Sequence, residues 1–186
     1  MNDPRGKEPR LGRTEHDARR GSAGRKGEYD HCAARGESVI ELDYVFRPEE
    51  VIVGWDWASA PDWAYAYDAF PGDVHLLVNG EDLSAPWGWV TVLYFALCLQ
   101  RAVADVEMSG VGVVELTESE LTLVLSRADG GIEVRADWVP QAAFVELGEL
   151  RSASDAFAAR VRTDFERTYP ATTENPRYRE FQSRFR

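Results

Sequence analysis

The sequence predicts an α+β protein in which an antiparallel sheet, a hairpin plus a meander, packs on a central apolar helix and on C-terminal helices. Three observations predict it. Period-two alternation recurs in segments 39–46, 120–127 and 132–138; the turn-forming residues Asn79-Gly80 and Asp129-Gly130-Gly131 follow or separate strand-like runs; and an apolar run, Trp87–Leu99, is too long for a strand.

Residues 1–36 carry nine Lys/Arg, six Asp/Glu and, after Met1, one large aliphatic side chain, Leu11. So little apolar surface does not offset the entropy of ordering, and a disordered basic N-terminal arm is predicted here, ahead of a single domain over 37–186. From Val39 the pattern alternates: Ile40, Leu42, Tyr44 and Phe46 share one face and Glu41 and Asp43 the other, as in a half-buried strand that Pro48 ends. Val51–Val53 offers a short strand or edge.

Residues 54–72 have neither a helical nor a strand period, and an irregular, aromatic-packed excursion is expected, with Pro61 opening a short helix. Asp73–Val78 reads as a strand, Asn79-Gly80 as a hairpin turn and Glu81–Leu83 as the return strand. Ser84 is then placed to cap a helix from Pro86 to about Glu107, apolar on nearly every face through Leu99 and therefore central to the core.

The meander follows as Gly112–Thr117, Glu120–Arg127 and Ile132–Trp138, with Ala143–Leu147 available as a further strand. Leu150, Ala153, Phe157, Val161 and Phe165 recur at spacings of three and four, predicting an amphipathic helix that Pro170 closes. A short helix after Asn175-Pro176 would carry Tyr178, Phe181 and Phe185 on one face.

At 186 residues the chain is long enough to bury a core without staples. Cys32 lies in a polar stretch and Cys98 in an apolar one, which motivates no bridge between them and suits a reducing compartment. No apolar block in the first 36 residues matches a secretory signal, and the run ending at Leu99 falls short of the roughly 20 residues that span a bilayer. A cytoplasmic protein with no membrane partner is expected.

Residues 37–150 hold four arginines against 21 carboxylates, a net charge of −17, flanked by segments that each sum to +3. Such an acidic block repels phosphate backbones and attracts basic partners, so nucleic-acid binding through the core is disfavoured. It is equally what solubility alone would ask for.

Catalytic chemistry finds few parts. Asp73 and His75 share a strand face, but His16 and His31 lie in the arm, so one histidine remains in the fold and zinc is poorly served; no metal or cofactor is implied. Carboxylates near the aromatics are numerous, yet a glycosidase pair needs a defined separation that sequence does not supply. No G-x-S-x-G elbow occurs, and Gly110-Val111-Gly112 lacks the rest of a phosphate loop.

The unusual feature is aromatic density. Trp55, Trp57, Trp63, Tyr65, Tyr67, Phe70, Trp87 and Trp89 fall within 35 residues and include five of the six tryptophans. Large rings with polar tips serve binding sites and cores alike, so Trp55, Trp57, Trp63, Tyr65, Trp87 and Trp89, with Asp73 and His75 as polar groups, are the candidate binding residues.

The stretch GDVHLLVNGEDLSAPWGWVTVLYFALCLQ, Gly72–Gln100, resembles the core signature of an uncharacterised family of small acidic actinomycete proteins, a domain of unknown function. The resemblance implies an architecture over most of 38–176 and a bacterial cytoplasmic setting, and it brings no catalytic residues. The arginine-rich N-terminus departs from the compact pattern.

Three functions fit these observations. The first is a non-catalytic protein-binding module of the immunity or antitoxin type whose acidic surface neutralises a basic protein partner. The alternative is a small-molecule or carbohydrate-binding domain, or a hydrolase, built on the tryptophans. The third is a homo-oligomer joined through Tyr178, Phe181 and Phe185.

Overall fold

The computed structural model describes residues 39–51, 54–117 and 119–185. The basic arm, Cys32, His16 and His31, and most of the segment Val51–Val53 lie outside the described residues. Within them the chain forms two four-stranded antiparallel sheets and four α-helices.

The first sheet begins as the alternation demands. Strand β1 (Ile40–Phe46) pairs along its whole length with β2 (Pro71–Val78), from Ile40 opposite Val78 to Phe46 opposite Gly72, and turns Glu41, Asp43 and Val45 outward. Between them the excursion contains only one regular turn, α1 (Ala64–Tyr67). Asn79 and Gly80, at φ of 52° and 86°, close the hairpin from β2 to the two-residue β3 (Glu81–Asp82).

One expectation is overturned after that hairpin. Pro86–Thr91 is not helical; Ala85–Thr91 is strand β4, paired with β2, and Ser84 caps nothing but accepts the Leu76 amide through its Oγ at 3.1 Å. A buried apolar run of this kind looks the same as strand or helix, and Gly88 decides locally, because its φ of 75° is foreign to a right-handed helix. Gly72 faces Val90 and Val74 faces Ala85, so a single residue of β2, Asp73, lies opposite the four residues Pro86–Trp89, which form an enlarged bulge.

Helix α2 (Val92–Ser109) therefore starts later than its sequence suggests, with the Val92 amide bonded to the Phe70 carbonyl. Its role in the core is as expected: Leu93, Leu97 and Val103 are all buried, with Val92, Phe95, Ala96, Leu99, Ala102 and Val106. Gly110, at φ of 85°, ends it in the left-handed conformation.

The second sheet is the meander, in the order β5 (Val111–Glu115), β6 (Thr122–Ala128), β7 (Gly131–Ala136) and β8 (Ala142–Val145). Val114, Leu123, Leu125, Ile132, Val134, Ala143 and Val145 face inward. At Gly112 the strand crosses α2 so closely that a Cβ would lie 1.9 Å from the Ala102 carbonyl oxygen. Hairpin and meander thus belong to separate sheets, linked where Trp138 Nε1 donates to the Ser84 carbonyl at 2.9 Å and Asn79 Nδ2 donates to the Phe144 carbonyl.

Helix α3 (Leu147–Thr168) buries Leu150, Phe157, Val161 and Phe165 against α2 and β1; Ala153 is only half-buried and Ser154 takes the inward position beside it. After a 3-10 turn, α4 (Pro176–Ser183) is capped by Asn175, whose Oδ1 accepts the Arg177 amide. Tyr178 and Phe181 are buried within their own chain and Phe185 is half-buried, so the aromatic face of this helix packs into the core.

Candidate functional site

The structure divides the eight candidate residues among four places. Trp57, 7 % exposed, and the fully buried Tyr65 belong to the core, where they meet Phe165, Tyr169, Tyr178 and Phe181 at ring separations of 5.1–6.2 Å. Asn175 joins this cluster by donating through Nδ2 to the carbonyls of Trp57 and Ala60 and to the Tyr65 hydroxyl. Burial of the Tyr65 phenol pushes its pKa up to about 12.

Asp73 is structural. At 3 % exposure its Oδ1 accepts the Gly88 amide at 2.6 Å while Oδ2 accepts from Arg47 Nε at 2.9 Å, so one carboxylate pins the β4 bulge and a neutralising arginine together. His75, two residues on, lies opposite Asp43 of β1 and is only partly buried. The bulge projects Trp87 and Trp89, whose rings stack on each other at 5.2 Å, with Trp138 edge-on to Trp87 at 5.3 Å.

Trp55 and Trp63 form the remaining group. Their rings meet edge-to-face at 5.2 Å, and Trp55 Nε1 donates to Asp68 at 2.8 Å. Trp63 is 51 % exposed and Tyr67, one helical turn on, is 50 % exposed. Residues four apart on a helical turn lie on one side, so the two exposed rings share one rim of the turn.

Tyr67 is also one wall of a cleft of about 330 Å³, which no sequence pattern singles out. Tyr94 of α2 forms the back, and Glu115, Thr117, Ser119, Glu120, Leu121 and Thr122 of the β5–β6 connection form the other wall. A small cavity behind it reaches Trp89 and Phe95. The walls are fixed: the Tyr67 carbonyl accepts from Thr91 Oγ1, the Leu116 amide donates to the Leu121 carbonyl, the Leu121 amide donates to Ser119 Oγ, and Thr122 Oγ1 donates to Asp137.

The ring of Tyr94 is backed by Phe185 and Phe181. Burial, the adjacent Cys98 thiol and the Glu115 charge raise the phenol's pKa well above its usual value, and burial pushes the thiol up to about 12. Both groups stay protonated at neutral pH. A buried, protonated thiol is a poor nucleophile, whereas the phenols and carboxylates facing the opening make a surface rich in acceptors.

Among the described residues, no group of three or more His, Cys, Asp or Glu could hold a metal ion, and no helix is long and apolar enough to cross a membrane. Comparison of the chain with models of known protein families, with curated proteins and with solved structures gives no match in any of the three.

Proposed function

We propose that this protein is a non-catalytic binding module, of the immunity or antitoxin type, that neutralises a basic protein partner. One observation carries the reading. Every arginine of the acidic stretch 37–150 is already engaged inside the fold: Arg47 with Asp73, Arg101 with Asp105, Arg135 with Glu133, and Arg127 with the Val106 and Glu107 carbonyls. Many of the described carboxylates there have no ion-pair partner among the described residues, Glu115 and Glu120 beside the exposed Tyr67 among them.

Charge of one sign beside exposed aromatic rings both accelerates encounter with an opposite charge and offers area to anchor it. Immobilised protein challenged with host extract at low ionic strength should retain a basic protein and release it as salt rises. Recovery of nothing but further copies of the chain, or of a partner whose retention ignores salt, would count decisively against the reading.

The stacked and partly exposed Trp87–Trp89 pair favours a second reading, a carbohydrate or small-molecule platform. A tryptophan emission spectrum unmoved by any of a panel of sugars would end it.

A further inference from the structure

We infer that the cleft between Tyr67, Tyr94 and the β5–β6 connection receives the guanidinium group of an arginine side chain presented by the basic partner. The inference rests on the binding reading above and names the chemistry of its anchor. The lining contains no lysine or arginine, and its two carboxylates, Glu115 and Glu120, have no ion-pair partner among the described residues. A cation entering the cleft would therefore meet two uncommitted negative charges and displace none.

The other lining groups select which cation. Tyr67 presents a half-exposed flat ring at the mouth, and Tyr94 presents a phenol held neutral at the back. A guanidinium group is planar, weakly hydrated and carries five donors in a fixed fork, so it can stack on a ring while bonding a carboxylate with two parallel N–H groups. An ammonium is a strongly hydrated point charge that gains less from a flat wall and loses more on leaving water.

Size points the same way. About 330 Å³ is at the lower end of the roughly 300–1,000 Å³ typical of ligand pockets, enough for one long side chain and short of an oligosaccharide.

Titration of the full chain with the peptide Gly-Gly-Arg-Gly-Gly and with its lysine counterpart tests this by calorimetry. The arginine peptide should bind about tenfold more tightly than the lysine peptide. Glu115→Gln should weaken the arginine peptide by about tenfold and Tyr67→Ala by about threefold to tenfold, whereas Glu81→Gln, at the exposed hairpin remote in sequence from the cleft, should leave it unchanged. Both altered cleft residues are exposed, and circular dichroism checks that each variant remains folded.

Equal affinity for the two peptides, no binding of the arginine peptide, or equal losses from Glu115→Gln and Glu81→Gln would overturn the assignment. If the arginine peptide does not bind while the unaltered protein still retains a basic partner in a salt-dependent way, the arginine pocket fails while the binding reading stands. If the unaltered protein binds neither peptide nor any basic protein, both fail.

Discussion

The meander Val111–Val145 and the aromatic segment Trp55–Phe70 bury comparable kinds of side chain by opposite means. In the meander each strand pairs with its immediate neighbour in sequence and turns alternate residues inward, and the register from β5 to β8 runs without a break. The aromatic segment has no period, and the partners that bury it, Phe165, Tyr169, Asn175, Tyr178 and Phe181, are about a hundred or more residues away. Local pattern suffices for the first; in the second, burial is a property of the finished fold.

Both regions rest on α2, so the largest effect comes from breaking it. Leu97→Asp places an unpaired charge at a position 3 % exposed, at a cost of several kcal/mol against a total stability of about 5–15 kcal/mol. No cooperative thermal transition should survive. A normally folded Leu97→Asp would remove α2 from the centre of the core.

Within the aromatic segment, two tryptophans six residues apart should behave in contrasting ways. Trp57→Ala should cost about 3–5 kcal/mol in urea unfolding, the loss expected for a buried ring. Asn175→Ala comes next at about 2–4 kcal/mol, since it removes the α4 cap and leaves the buried Ala60 carbonyl without its donor. Trp63→Ala, on the rim, should cost about 0.5–1 kcal/mol. If Trp57 and Trp63 cost the same, the segment is not divided into core and rim.

Alkali sharpens the contrast from another side. Burial raises the pKa values of Tyr65, Tyr94 and Tyr178, all packed on the aromatic side, above the usual value near 10. A phenol whose folded pKa is raised contributes stability fully below the unfolded value and loses it as pH climbs through the folded one. The urea midpoint should hold to a pH of about 10 and then fall toward about 12, with tyrosinate absorbance appearing together with unfolding. Tyrosinate formed well before unfolding would mean these phenols are wet.

These contrasts explain what can be read from the chain. The strands of the meander, the Asn79-Gly80 turn and the stripe Leu150–Phe165 are legible because each carries its own period or turn chemistry. The boundary at Thr91 is not, since the apolar run from Trp87 to Leu99 gives strand and helix the same appearance, and the left-handed Gly88 and its bond to Asp73 are features of the folded chain. Trp57 and Trp63 are alike in sequence for the same lack of a local cue.

The cleft is hardest to foresee because its walls come from three separated stretches. Tyr94, a phenol within an otherwise apolar helical run, and the carboxylates of Glu115 and Glu120 either side of a tight connection are the only hints. Neither has a spacing that announces a site.

The carboxamide of Asn175 also sets an order of events during synthesis. Its three acceptors are made 110 to 118 residues before it, so the rings of Trp57 and Tyr65 emerge from the ribosome long before the side chain that fastens them exists. Through that interval the nascent chain must carry sticky aromatic surface in water, where a chaperone would find it.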